Sequence, residues 1–336
     1  MKKIFCVLLT SISCTPVVAS MEAQPASAEY ASNRTSNETP MPARPASDQY
    51  HSNSNSASEK PMAARPLNDE PYVKDMPKAP PTGIDRVNNS VYLAAQMTWF
   101  DYTEYGDNNE WLDDQSGYLW GARLGITKTF DQIYLNAQIY ATGGDTNYNG
   151  NITNGDAIIG QGDSNGVNAL TVINVKGGYT FDFTNWISLT PFVELGYRFW
   201  HRVINDTTFQ GQPVSGITED YTTFYASGGL LFQMEVITDL VLGLEGSIGG
   251  LIAPTMTIQS GRFNGEKFDQ GSSAIYEIGL NANYFISENF SILGGVEYTY
   301  FEFGKSNTVQ SQGFNVWEPR SETYQVNVFV GAAYSF

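Results

Sequence analysis

The sequence of 336 residues contains no apolar run of the roughly 20 residues that a membrane-spanning helix needs. A helical membrane protein is therefore excluded. Cysteine is scarce, and both Cys6 and Cys14 lie within the first 20 residues. The remainder of the chain therefore has no disulfides and no thiolate metal ligands. Basic residues are also few, with 18 Lys and Arg against 35 Asp and Glu. This balance argues against nucleic acid as a partner, because clustered Lys and Arg bind a phosphate backbone.

Aromatic residues and glycine are abundant instead. The chain has 20 Tyr, 19 Phe and 32 Gly, and only 16% of its residues are charged. Tyrosine and phenylalanine favour strands, and glycine favours turns. The composition therefore predicts an all-β domain.

The first residues have the pattern of a secretory signal. Lys2 and Lys3 precede an apolar run at 4–12, and the small residue Ala19 follows Val18. We predict a signal peptide at 1–19. The alternative is a lipoprotein signal with Cys14 acylated, although the residues before Cys14 match that pattern poorly.

Residues 20–85 are rich in Pro, Ser and Asn and poor in branched apolar side chains. Such a segment buries too little surface to offset its ordering entropy, so we predict a disordered periplasmic linker. A degenerate repeat lies within it: Pro40–Pro45 recurs as Pro61–Pro66. The repeat is either a duplicated spacer or a tether that binds peptidoglycan or another partner.

Residues 86–336 show side chains that alternate between apolar and polar, which indicates β-strands. We predict a closed antiparallel transmembrane β-barrel of about ten strands, with eight or twelve as alternatives. The predicted segments are 90–102, 116–130, 132–142, 167–183, 186–203, 220–237, 239–254, 273–286, 289–304 and 322–336.

Connections between these segments alternate between short and long. Short turns fall at 131–132, 184–185, 238–239 and 287–289, and the other connections are rich in Gly, Asn and Asp. Outer-membrane barrels have short periplasmic turns and long extracellular loops. We therefore expect the Gram-negative outer membrane as the location, with its lipid and lipopolysaccharide as partners. The last strand ends on Tyr334 and Phe336, which resembles the signal that the barrel assembly machinery recognises.

Outward positions carry apolar side chains in mid-strand and aromatic side chains near the strand ends. Two aromatic belts are typical of the two membrane interfaces. The belt residues are Trp99, Trp120, Phe199, Tyr276, Tyr298 and Tyr300 toward the long loops, and Phe130, Phe181, Phe183, Trp186, Tyr284, Phe290 and Phe336 toward the short turns.

The same alternation places several charged side chains in the lumen, because a charge in mid-membrane that faced lipid would cost kilocalories. They line either a narrow, mildly acidic pore or a polar filling in which they pair with one another. These residues are Arg123, Lys176, Glu194, Arg198, Glu235, Glu245, Glu277 and Glu297.

The segment from Asp145 to Asp156 has the ligand spacing of a calcium loop, with Asn147, Asn149 and Gly150 at the intermediate positions. It has only two carboxylates and no flanking helices. Turn chemistry accounts for the same residues, so no metal and no cofactor are expected.

The chain resembles the omptins, a family of ten-stranded outer-membrane proteases, in size, predicted strand count and export route. The family uses an Asp pair on one loop and an Asp-His pair on another. Asp113 and Asp114 could supply the first pair, but the loop at 254–271 contains no histidine, and His201 lies at the end of the fifth strand. We therefore expect no enzyme activity.

A broader resemblance is to outer-membrane barrels of chlamydia-related and other Gram-negative bacteria, carried by Gly196–Trp200, Glu219–Tyr221, Leu244-Glu245 and Pro254. It implies a porin-like channel for small solutes or an envelope-structural protein. The alternatives are a surface adhesin or receptor that acts through its loops and, third, an omptin-like protease.

Overall fold

The computed structural model describes residues 81–336 except 155–156, 260–262 and 312. One short helix, α1 (Gly83–Val87), precedes ten long strands. The strands are β1 (Ser90–Tyr105), β2 (Trp111–Phe130), β3 (Ile133–Asn154), β4 (Ala157–Tyr179), β5 (Ile187–Ile204), β6 (Ile217–Ile237), β7 (Leu240–Ile258), β8 (Ala274–Phe285), β9 (Phe290–Phe303) and β10 (Arg320–Ser335). Short strands lie in the connections at Phe181–Thr184, Thr207–Phe209, Gln212–Val214, Lys267–Asp269, Val309–Ser311 and Phe314–Val316.

The ten long strands form a closed antiparallel ring. Each pairs with the next along the chain, and β10 returns to pair with β1. This seam runs from Ser90 opposite Ser335 to Tyr105 opposite Arg320. The prediction of an all-β closed antiparallel barrel with ten strands is confirmed. In the part of the chain that is described, no helix has the length and apolarity to cross a bilayer.

The periplasmic end is made of tight connections, as predicted. Two of them are two-residue hairpins at 131–132 and 238–239. Asp131 and Asp239 adopt positive φ angles of 54° and 69° there. Hairpin turns of this length need such angles, and Asp tolerates them better than most side chains.

The strands extend further at the other end than the sequence predicted. β3 has 22 residues and β4 has 23, whereas a tilted strand crosses a bilayer in about 9–11. Most of the predicted long connection at 143–166 is therefore strand. The connection between β1 and β2 is also shorter than predicted and covers only 106–110. We call the part of the barrel beyond the apolar band the outer extension. Roughly 35 Å of β3 lies in it at 3.3 Å per residue.

The outer face of the barrel carries a band of exposed apolar side chains. Leu93 on β1, Val193 on β5 and Ile278 on β8 are each more than half exposed, and no two of these strands are neighbours in the ring. An exposed apolar surface that encircles a barrel fits lipid and does not fit water. Aromatic side chains border the band: Trp120, Tyr276 and Tyr298 toward the outer extension, and Phe130, Trp186 and Phe290 toward the short turns.

Helix α1 corrects the predicted boundary of the linker, which placed residues 83–85 in a disordered segment. The helix has a capping box, in which Thr82 and Asp85 bond each other's backbone N–H groups. Ile84 is buried against Val241 and Phe285 at the periplasmic end of the barrel. Pattern analysis missed it because five residues are too short to show a helical period. The predicted signal peptide and residues 20–80 of the linker lie outside the described residues.

Candidate functional site

The membrane-spanning half of the lumen contains what we call the interior charge layer: Arg123, Lys176, Glu194, Arg198, Glu245, Glu277 and Glu297. In this layer Arg123 of β2 forms a bidentate pair with Glu297 of β9, at 3.0 and 3.2 Å. Its Nε donates to Gln96 Oε1 at 2.7 Å, and the guanidinium packs between the rings of Tyr140 and Phe329. Arginine is therefore held at this position by charge, geometry and packing together.

The other members of the layer also bond across the lumen or along it. Lys176 of β4 pairs with Glu245 of β7. Arg198 of β5 donates to Gln325 of β10, which lies on the opposite wall. The remaining carboxylates accept hydrogen bonds from hydroxyl groups: Glu194 from Tyr225 and Ser227, and Glu277 from Ser247.

Glu235 is separate from this layer. It lies at the periplasmic end, where its carboxylate accepts from the backbone N–H of Gly83 at 2.9 Å and from that of Asp239 at 3.3 Å. It therefore anchors helix α1 to the wall. Seven of the eight charged residues predicted for the lumen therefore form the interior charge layer, and the eighth, Glu235, anchors helix α1.

Above the charge layer, aromatic rings from opposite walls meet. The hydroxyls of Tyr102 on β1 and Tyr221 on β6 are 3.2 Å apart, although these strands are five positions apart in a ring of ten. Trp200 stacks on Tyr221 at 4.5 Å and packs edge-on against Tyr102. We call this set, with Phe100 and Phe303, the aromatic plug. It crosses the full width of the lumen.

The third feature is an outer acidic cluster of Glu104, Asp113, Arg202, Glu219 and Glu318. Arg202 is 1% exposed and contacts Glu104 at 2.8 Å, Glu219 at 3.0 Å and Asp113 at 3.4 Å. The outward-facing neighbours at this level are polar, including Asp114 and Asp220, so the cluster lies beyond the apolar band. Four buried carboxyls here share one arginine.

Burial raises the pKa of Asp113 and Glu318 well above the usual range, and Glu104 raises both further. Burial also raises the pKa of Glu219, against the opposing effect of Arg202. The hydrogen bonds agree with these directions. The Tyr221 oxygen lies 2.7 Å from Glu318 and 3.1 Å from Glu219, but one hydroxyl proton satisfies one acceptor. Both contacts are hydrogen bonds only if one carboxyl is protonated.

We predict that Glu318→Gln stabilises the folded barrel at pH 7 by about 1 kcal/mol. The amide keeps the acceptor for Tyr221 and removes one excess negative charge. Because the folded pKa is raised, the stability gain should vanish as the pH falls toward 4, where the native carboxyl is already protonated. Urea unfolding at pH 7 and pH 4 measures it. A loss of stability at pH 7 would contradict this assignment.

Sequence analysis missed this cluster. Arg202 has the same parity on β5 as Glu194 and Arg198, so the alternation already placed it inward. The four carboxylates that surround Arg202 lie outside the predicted strands, so the alternation assigned no face to them. Their convergence depends on strands that are distant in sequence.

The predicted protease residues are not brought together. Asp113 points into the lumen, while Asp114 lies on the other face of β2 and accepts from the Trp111 indole at 3.1 Å. His201 bonds Asp220 at 2.6 Å, but this pair lies on the outward face of β5 and β6. Adjacent residues of a strand point to opposite faces, so Asp113 and Asp114 do not share one site. The His201–Asp220 pair faces outward and does not join Asp113 in the lumen.

The segment with calcium-loop spacing, 145–156, is extended strand over its described residues up to Asn154. β3 remains extended through this segment, so Asp145, Asn147 and Asn149 lie on one face with roughly 7 Å between successive side chains. Calcium ligands must converge within about 2.5 Å of one ion. Asp156 lies outside the described residues. Among the residues that are described, no group of three acidic, histidine or cysteine side chains is placed to hold a metal ion.

The two residues of the predicted assembly signal face outward near the closing seam. Tyr334 packs against Phe290 with 5.1 Å between ring centroids, and the Lys128 ammonium lies 4.9 Å from the Phe336 ring. The Phe336 N–H donates to the carbonyl of Asn89 at 3.0 Å. Recognition by the assembly machinery stays a prediction.

No protein-family model and no curated protein sequence matches this chain. Solved structures do match. The outer-membrane protease OmpT of Escherichia coli is 9% identical, with a TM-score of 0.53, over 74% of this chain and 95% of OmpT. The P. putida toluene transporter TodX is 12% identical over 76% and 91%, with a TM-score of 0.32. Neisserial surface protein A is 10% identical over 73% and 97%, with a TM-score of 0.28. At 9% identity the likeness to OmpT is one of fold, and this chain has the fold of a bacterial outer-membrane β-barrel.

Proposed function

We propose that this protein is a closed, envelope-structural barrel of the Gram-negative outer membrane that presents an acidic surface outside the cell. The observation that supports this most directly is the contact between Tyr102 and Tyr221 across the full width of the lumen. A solute crossing the barrel would have to displace this contact and the stacked Trp200 ring. Closure favours the structural alternative over the channel that the sequence also predicted.

The outer mouth supports the same proposal. The connection at 304–319 folds back so that Glu318 is buried beside Tyr221, and the Glu318 backbone N–H donates to Ser306 Oγ at 2.7 Å. The outer acidic cluster then fills the width between β1, β2, β5 and β6. The lumen is thus occupied at two levels above the charge layer.

The outer extension would be the part that meets other molecules. Among its described residues, carboxylates on the outward face or in connections greatly outnumber the basic side chains Lys267, Lys305 and Arg320. Such a surface favours cationic partners. These carboxylates are Asp101, Asp107, Glu110, Asp114, Asp145, Asp163, Asp206, Asp220, Glu266, Asp269, Glu302 and Glu322.

The location in this proposal follows from the fold and the apolar band. The proposal also includes export by a signal peptide at 1–19 and a periplasmic tether at 20–80. It further includes insertion by the assembly machinery and contact with lipopolysaccharide. The geometry offers no support for a protease, because Asp113 and Asp114 face opposite sides of β2.

Planar bilayer recording tests closure. We expect purified, heat-modifiable barrel to give no discrete conductance steps in 1 M salt, because the aromatic plug leaves no aqueous path. Stepwise openings from protein shown to be folded on the same gel would overturn the proposal and restore the channel. The matched control is an established open barrel inserted under the same conditions.

A further inference from the structure

A polar cavity of about 120 Å³ lies in the periplasmic half of the lumen, between helix α1 and the aromatic plug. Its floor is formed by Val87 and Asn88 at the end of α1, and its roof includes Arg123, Tyr140 and Glu297. This volume approaches that of protein cavities that hold one six-membered ring, and it is several times what one water molecule needs. The cavity is large enough for a small solute.

Nearly half of the lining side chains both donate and accept hydrogen bonds. Amide groups project from several walls of the cavity: Asn136, Gln138, Asn174, Gln233, Asn281 and Asn283. Tyr92 and Tyr134 add hydroxyls. Walls of this kind match a solute with several hydroxyl groups, because each hydroxyl is also both donor and acceptor.

The charges around the cavity do not call for an ion. Arg123 is paired with Glu297, and Lys176 with Glu245. The carboxylate of Glu277, left without a basic partner among the described residues, would repel an anion. A neutral solute is compatible with this arrangement, since the ion pairs remain intact when it enters.

One buried group in the wall lacks a partner. Asn174 is 4% exposed, and its amide nitrogen donates to the Tyr225 hydroxyl at 3.3 Å. Its Oδ1 has no hydrogen-bond donor within the described part of the chain. A buried carbonyl oxygen left unsatisfied costs about 1–3 kcal/mol, so a bound molecule with an O–H group would be stabilising there.

The aromatic plug lies between the cavity and the outer mouth, and helix α1 lies at the periplasmic end of the cavity. Helix α1 is held to the wall by a few polar contacts and by the small apolar contact of Ile84. Arg86 pairs with Asp239 at 2.7 Å and covers the Phe285 ring, and Asn88 exchanges two hydrogen bonds with Gln233. A five-residue helix has little stability of its own, so loss of these contacts would release it.

We propose that this cavity binds one small, neutral, polyhydroxylated solute, which enters from the periplasmic side when α1 moves away from the wall. The site is independent of the outer acidic surface and does not require a path through the barrel. Asn174 Oδ1 is the acceptor for one solute hydroxyl.

Protection of a single cysteine tests the site. Cys6 and Cys14 are changed to serine, and Asn281→Cys places one thiol in the wall of the cavity in full-length protein. Its labelling by a small methanethiosulfonate reagent is followed by mass spectrometry, with glycerol, myo-inositol or sucrose as probes. We expect glycerol or myo-inositol to slow labelling about tenfold at ten times its Kd. Sucrose, too large for the cavity, should have no effect.

Two further variants locate the effect. Asn174→Leu should abolish protection, whereas Asn165→Leu, on the exposed face of the same strand, should retain it. Arg86→Ala should accelerate labelling without probe, because α1 is released. The proposal is overturned if neither polyol protects, if sucrose protects equally, or if Asn174→Leu leaves protection intact. Each variant must first show the folded, heat-modifiable band.

Discussion

Replacing Arg202 by methionine is expected to destabilise the barrel by about 3–5 kcal/mol at pH 7. The substitution keeps an unbranched side chain of similar length but removes the one cation among Glu104, Asp113, Glu219 and Glu318. Arg202 is 1% exposed and Glu219 is 6% exposed, so water cannot replace the lost charge. Equilibrium unfolding in urea, followed by tryptophan fluorescence, measures the change.

The pH dependence identifies the cause of this loss. Raised folded pKa values of Asp113, Glu219 and Glu318 mean that the stability from their protonated forms is present below about pH 4 and is lost as pH rises through the folded values. The difference between Arg202→Met and the native protein should therefore shrink in acid. A loss that stays constant between pH 4 and pH 8 would indicate lost packing in place of uncompensated charge.

Arg320→Met is the matched control. Arg320 also contacts two carboxylates, Glu322 at 2.8 Å and Glu302 at 3.6 Å, but its side chain is 31% exposed. Partly hydrated surface pairs contribute about 0–1 kcal/mol. An equal loss in the two variants would contradict the role given to burial at Arg202.

Charge reversal at Arg123 should have an effect of similar or larger size. Arg123→Glu would place two carboxylates against each other where the bidentate pair with Glu297 now lies, inside the membrane-spanning half. We expect most of the protein to lose the heat-modifiable folded band on gels. The double variant Arg123→Glu/Glu297→Arg should recover a substantial part of that band, since it restores an opposite pair at the same site.

A mismatched double variant separates specific pairing from net charge. Lys176→Glu/Glu297→Arg has the same net charge as the rescued protein. In this variant the new arginine at 297 would face Arg123, and the new glutamate at 176 would face Glu245, so no opposite pair is restored. It should not recover the folded band. Equal recovery in both double variants would show that total lumen charge matters and that the individual pairs do not.

The sequence by itself determined the β-barrel class, a strand count near ten and which face each residue of a strand occupies. Alternation has a period of two, and lipid on one side imposes it throughout the apolar band, so Arg123 and Glu297 could both be placed in the lumen without coordinates. Short turns could be placed as well, because Asp131 and Asp239 mark hairpins with the positive φ that such turns require.

The tertiary structure decided where the strands end outside the membrane and which interior groups meet. Above the apolar band no lipid imposes alternation, so the polar residues of β3 up to Asn154 looked like a loop, and their pairing with β4 made them strand. The contacts of Tyr102 with Tyr221 and of Arg202 with Glu104 join residues that are 119 and 98 positions apart in the chain. Ring closure and stagger set these distances, and neither has a local signal in the chain.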